Sequence, residues 1–138
     1  MSESSGKASN PLLDGLMECR TVVLSGSISG ESMEELWRRM LKLQLESSKP
    51  ITMIIDSRGG SFNGSNYLCD LMLTVLQAPV RGVVVGMCGS AATFILLHCA
   101  ERLGTPNSRY VIHSGTKSNI SIPVNGNAVK HLEQLLIE

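Results

Sequence analysis

Aromatic residues are scarce in this chain: two Phe, two Tyr and one Trp supply 4% of its 138 residues. Neither charge is in excess, since 12 Lys and Arg stand against 12 Asp and Glu. That balance excludes the basic field that draws nucleic acid and the acidic tail that solvates a segment. No apolar run approaches the roughly 18 consecutive residues of a membrane-crossing helix, and the Ser-rich start over residues 1–10 lacks the apolar stretch of a secretory signal. Cys19, Cys69, Cys88 and Cys99 show no close pairing, and His98, His113 and His131 form no ligand array with them. His98 and Cys99 are adjacent, and neighbours one apart on a helix point in different directions. The expectation is therefore no metal, no cofactor, no nucleic acid and no membrane partner, in a soluble protein of a reducing, cytoplasmic compartment.

What is present is a series of short apolar runs alternating with helical periodicity, in a chain of 14.9 kDa that fits one domain. A flexible tail is expected over residues 1–11. Thr21 to Leu24 reads as a buried strand ending at Ser25-Gly26, and Ser32 with Glu35 reads as a capping box opening a helix. Met33, Leu36, Trp37 and Met40 mark that helix's apolar face, and its end is expected near Glu46, ahead of Pro50. Ile51 to Ile55 has the continuous apolar character of a parallel strand covered on both faces, and Asp56-Ser57-Arg58-Gly59-Gly60 breaks it. A helix from about Ser65 carries Leu68, Leu71 and Met72 to Ala78-Pro79. Val80 to Val85 is the next strand, Gly86 to Ser90 a turn, Ala91 to about Glu101 a helix, and Arg109 to Ile112 a short strand ending at His113. Strands joined by right-handed helical crossovers predict a parallel α/β architecture. Beyond residue 113, Ile120, Ile122 and Val124 alternate as in an edge strand. Ala128, Leu132, Leu135 and Leu136 line one face of a last helix that reads as cut at Glu138.

Three places could carry chemistry. Ser90 lies between Gly89 and two alanines, after an apolar strand and at a helix start, where small neighbours permit a sharp turn and an accessible hydroxyl. The spacing is not that of a G-x-S-x-G elbow, and a plain helix-capping serine satisfies the same pattern. His113 ends a strand, and functional groups in open parallel sheets gather at the carboxyl ends of strands. A histidine there suits a general base, and equally an ordinary hydrogen-bonded strand end. Gly59-Gly60 offers backbone N–H groups with no side chain in the way, and these with Ala91 could form an oxyanion hole or simply turn the chain.

The blocks MIIDSRGGSFNGSNYLCDLM, VVVGMCGSAATFILL and PNSRYVIHSG together resemble signatures of the proteolytic subunit of ATP-dependent Clp protease, ClpP. Weaker similarity extends over about residues 12–138. The resemblance implies a ClpP/crotonase-type spiral of ββα units, a head domain over residues 12–113 and the start of a protruding handle, strand then helix, over residues 114–138. It implies Ser90 as nucleophile, His113 as general base, and the N–H groups of Gly60 and Ala91 as the oxyanion hole. Gly59, Ser61 and Phe62 fall where the family lays an extended peptide against its own strand. It further implies a ring of like or related subunits, a heptamer in this family, an AAA+ unfoldase as partner, unfolded polypeptide as substrate, and a cytoplasmic or organelle stroma or matrix location. The family's triad Asp falls well past the handle helix and so has no counterpart within residues 1–138. Asp14 and Asp70 are poorly placed for the role, Asp56 matches a position that is usually Asn, and Arg58 stands where Pro is usual.

The reading is thus a serine endopeptidase subunit of an ATPase-coupled ring protease. Its alternatives are a non-catalytic ClpP-like subunit of a mixed ring and, further off, a crotonase-type enzyme acting on acyl-CoA.

Overall fold

The computed structural model describes residues 10–113. The expected handle and most of the expected tail lie outside them. In chain order the elements are α1 (Pro11–Glu18), β1 (Thr21–Ile28), α2 (Gly30–Glu46), β2 (Ile51–Gly60), α3 (Phe62–Thr74), β3 (Val80–Gly89), α4 (Ala91–Leu97), β4 (Glu101–Gly104) and β5 (Arg109–Val111).

One parallel sheet runs β1-β2-β3-β4, and β5 also pairs with β3. β3 is long enough to serve two neighbours: Arg81 to Val84 pair with β4, and Met87 to Gly89 pair with β5. Alternate residues of β1 and β2, Val22, Leu24, Met53 and Ile55 among them, are buried beneath Met33, Leu36, Met40 and Leu43 of α2 and Leu68 and Met72 of α3 in a single apolar cluster. Removing side chains of this size from water stabilises by about 1.5 to 3 kcal/mol each, so the apolar periodicity of the two helices and the strand runs make one core. The α/β architecture expected from the sequence is the one observed.

Several boundaries differ from expectation, each for a physical reason. Pro11, expected within the tail, opens α1 instead: Asn10 caps the helix with its side-chain oxygen, and Pro11 takes the first helical position, where a missing N–H costs nothing. α2 is capped by Ser29, not Ser32; the two serines bond each other's backbone reciprocally, so Ser32 holds the N3 position of the box and not its N-cap. β1, β2 and β3 all run past their expected ends. Polar and glycine residues continue as strand because their backbones are paired, Ile28 with Gly60 and Ser57 with Cys88, across register shifts. α3 begins at Phe62 instead of Ser65, and α4 stops at Leu97. The residues assigned to the far end of α4 turn the chain instead, and from Glu101 it runs as β4, a strand of exposed side chains held by backbone pairing and by an Arg81–Glu101 ion pair at 2.7 Å.

Two polar side chains tie the crossovers down. Arg20, at φ 54°, donates to the carbonyls of Leu43, Ser47, Lys49 and Pro50, satisfying acceptors left open at the end of α2. The side-chain oxygen of Gln44 accepts from the backbone N–H groups of Gln77 and Ala78 at 3.0 and 2.7 Å, fixing the approach to β3.

Candidate active site

The carboxyl ends of β2, β3 and β5 converge, and each leads to sequence-predicted residues. β2 ends in Gly59 and Gly60, at φ 105° and 146°. These dihedrals lie where side chains are rarely tolerated, and space is short as well. A methyl group on Gly59 would stand 2.7 Å from the Gly89 carbonyl oxygen, 2.8 Å from Cβ of Ser90 and 3.0 Å from the backbone nitrogen of Ala91. Gly60 is pressed against the backbone of Ile28 in the same way. Glycine at position 59 therefore lets the β2 backbone reach the serine turn and sets the Ala91 N–H beside it. The β2–β3 ladder has Ser57↔Cys88 as its last pair, so Gly59 and Gly60 extend beyond it while β1 still holds Gly60.

Ser90 joins β3 to α4 at φ 51° and ψ −121°. Those are the dihedrals of the first central residue of a type II′ turn, a position that favours glycine, and a side chain held there stores about 1 to 3 kcal/mol. Its hydroxyl makes no capping bond to α4. The carbonyl of Ser90 instead accepts from the backbone N–H and the hydroxyl of Thr93, at 3.0 and 2.6 Å. The half-buried side chain therefore does not serve the helix start as an ordinary cap would. Cys88, two residues earlier, is fully buried, and burial pushes its thiol up to about 11. Cys69 and Cys99 are pushed up to about 12, again chiefly by burial. These thiols stay protonated at neutral pH.

β5 extends the register toward His113. Met87, Cys88 and Gly89 pair with Arg109, Tyr110 and Val111, and the N–H of Ser90 donates to the Val111 carbonyl at 2.7 Å. His113 follows two residues on and is exposed. Ser90 and His113 thus leave adjacent parallel strands at the same end. His98 caps the end of α4, with Nδ1 2.7 Å from the Phe94 carbonyl, and takes no part here.

Two expected substrate-contacting residues have local duties. Ser61 is the cap of α3, its side-chain oxygen accepting from the Gly64 N–H at 3.0 Å, and Phe62 is the first residue of that helix. The Phe62 ring packs on that of Phe94 with centroids 5.3 Å apart, tying α3 to α4. The β2 strand itself stops at Gly60, and Ser61 is its extended exit into α3.

Sequence reasoning passed over a cleft of about 660 Å³ that adjoins the turn. Arg58 and Arg109 line it, with Ser27, Asp56, Gly59 and Asn107 among the other walls, and Ser90 and His113 lie outside it. Arg58 was visible as a departure from the family pattern; that Arg109 shares its cleft depends on the β3–β5 pairing. Asp56, on β2, accepts from the Met87 N–H at 3.1 Å, and Asp14 and Asp70 lie on α1 and α3. Among the described residues, no group of three or more His, Cys, Asp and Glu is placed to hold a metal ion, and no helix is long and apolar enough to cross a membrane.

Residues 4–134 match the model of a family described as Clp protease. The ATP-dependent Clp protease proteolytic subunit 2 of Treponema denticola is 36% identical over 105 residues, which cover 74% of this chain and 52% of that protein. Subunit 1 of Corynebacterium diphtheriae is 31% identical across 94% of this chain and 65% of its own length. Among solved structures, ClpP1 from Listeria monocytogenes superposes with a TM-score of 0.74 at 28% identity, covering 90% of this chain and 74% of that one. The chain spans about half to two thirds of the length of these relatives.

Proposed function

Since the chain belongs to the Clp protease family, we propose that it is a serine-type endopeptidase subunit in which Ser90 is the nucleophile and His113 the general base. The observation that carries this reading is Ser90 itself. It is held at φ 51° with no capping bond, and its N–H is tied to the strand that leads to His113.

In this mechanism Ser90 Oγ attacks the scissile carbonyl carbon while its proton passes to the His113 imidazole. The oxyanion so formed accepts from the N–H groups of Gly60 and Ala91, a pair of donors for which loss of one costs about 2.7 to 4 kcal/mol in comparable sites. The imidazolium returns the proton to the leaving amine, and water then releases the acyl group by the same route. Unfolded polypeptide is the fitting substrate, because an extended backbone can lie along the unpaired side of Gly59 and Gly60.

Self-association belongs to the same proposal. Val85, Leu103, Tyr110, Val111 and Ile112, on or next to β3, β4 and β5, are each between 42% and 51% exposed. Apolar residues gathered at one sheet margin suit cover by a like or related subunit. The ATP dependence in the relatives' names extends the proposal to a partner ATPase that supplies unfolded chain.

The test is intact mass after treatment with a fluorophosphonate, with Ser90→Ala and His113→Ala in parallel. One adduct on the native chain, absent from Ser90→Ala and slowed about 10²-fold or more in His113→Ala, is the expected result. No adduct on the native chain, or equal labelling of Ser90→Ala, would overturn the catalytic assignment and favour a non-catalytic ring subunit.

A further inference from the structure

The cleft beside Gly59 carries two guanidinium groups with no ion pair or side-chain hydrogen bond among the described residues. Arg58 extends from the exposed side of β2 and Arg109 from the start of β5, and both line the same opening of about 660 Å³. The ion pairs Arg38–Glu34, Arg39–Glu35 and Arg81–Glu101 lie elsewhere. Asp56 is the one carboxylate in the cleft wall among the described residues, and it is already engaged. Its Oδ1 accepts from the Met87 N–H at 3.1 Å, and a methyl group on Gly86, at φ 91°, would stand 2.6 Å from that oxygen. The Gly86-Met87 backbone therefore closes on Asp56 and holds it, leaving the two arginines in excess of it by one charge. Ser57, the remaining polar side chain that β2 brings to the cleft, is also committed, donating to the Gly26 carbonyl at 2.6 Å and accepting from the Gly59 N–H at 3.1 Å.

We propose that Arg58 and Arg109 form a carboxylate-binding subsite, so that the polypeptide bound at Gly59-Gly60 is preferred when it places an acidic group in this cleft. The proposal rests on the reading that extended peptide lies at the end of β2. Gly59 is the geometric link, since it lines the cleft on one side and touches the Ser90 turn on the other. Guanidinium matches carboxylate in shape and charge, forming two parallel N–H···O bonds, and two of them in one concave opening select for an anion that a single surface arginine would not hold. Polar walls at Ser27 and Asn107 suit a charged occupant better than an apolar one. The carboxylate could belong to an Asp or Glu side chain or to the end of a peptide, and the chemistry of recognition is shared.

Three decapeptides bearing an uncharged dye separate these sources in fluorescence anisotropy titrations of the 138-residue chain at low salt. One carries Glu at alternate positions with both ends blocked, one carries Gln in their place, and one carries Gln with a free terminal carboxylate. The expected result is tighter binding of the Glu peptide, of the free-ended peptide, or of both, by about tenfold over the blocked Gln peptide. That margin should shrink as salt is raised and vanish in Arg58→Gln and Arg109→Gln. Ser90→Ala should keep the margin in full, so a failure of Ser90 to label with fluorophosphonate and a failure of this subsite are read independently. Equal binding of all three peptides, no binding of any up to millimolar protein, or a margin that survives both arginine substitutions would overturn the subsite.

Discussion

Ser61 and Ser90 occupy the same topological place, the junction where a parallel strand gives way to a helix, and they solve it in opposite ways. Ser61 keeps extended dihedrals, φ −68° and ψ 122°, and spends its side-chain oxygen on the Gly64 N–H at the start of α3. Ser29 does the same for α2 with a reciprocal box. Ser90 sits at φ 51°, leaves the helix start uncapped by its side chain, and relies on backbone bonds to Val111 and Thr93 for its position. At two of these three strand-to-helix junctions the chain caps the helix cheaply and at the third it accepts strain, and strain of this kind in a non-glycine residue concentrates where a side chain must be aimed at something other than its own helix.

Breaking the contact between the two junctions should give the largest effect. Gly59→Ala adds a methyl group into the Gly89-Ser90-Ala91 backbone at a φ of 105°, and clash with strain together should cost about 3 kcal/mol or more in urea unfolding. Fluorophosphonate labelling of Ser90 should fall with it. A cost below about 1 kcal/mol would show that β2 and the serine turn do not press on each other.

Removing an ordinary cap comes next. Ser61→Ala and Ser29→Ala should each lose about 1 kcal/mol, the usual worth of a serine cap. The same measurement on Ser90→Gly should go the other way, a gain of about 0.5 to 1 kcal/mol with labelling abolished, because glycine adopts a positive φ without penalty and gives back only part of that gain through its freer unfolded state. A loss of stability in Ser90→Gly would remove the contrast between the junctions.

Much of this was legible before the structure. Met33, Leu36, Trp37 and Met40 announced α2, the run from Ile51 marked a covered parallel strand, and the small residues around Ser90 marked a tight junction. What was hidden depended on pairing between distant segments. Residues 56 to 60 carry no apolar pattern, yet they stay extended because Ile28 pairs with Gly60. β4 is exposed along its whole length and exists because the edge of β3 needs a partner. The cap of α2 was misplaced because Ser29 and Ser32 are both good caps, and only the chain's exit from β1 decides between them. For the candidate site, residue identities were readable, whereas the strain at Ser90 and the shared cleft of Arg58 and Arg109 depend on how β2, β3 and β5 meet. Membership of the Clp protease family supports the peptidase reading over the acyl-CoA alternative.

The smallest expected effect is the most discriminating. Ser90→Ala removes a hydroxyl that makes no capping bond, and alanine at this position is no more strained than serine, so its stability should stay within about 0.5 kcal/mol of the native chain. An ordinary cap would instead lose about 1 kcal/mol, as Ser61→Ala should. Urea melts of Ser61→Ala and Ser90→Ala run side by side therefore ask whether the two serines differ in kind. A clear loss in Ser90→Ala would make its hydroxyl a structural group after all, whereas an unchanged midpoint together with lost labelling would mean that the Ser90 hydroxyl contributes to chemistry and not to holding the fold.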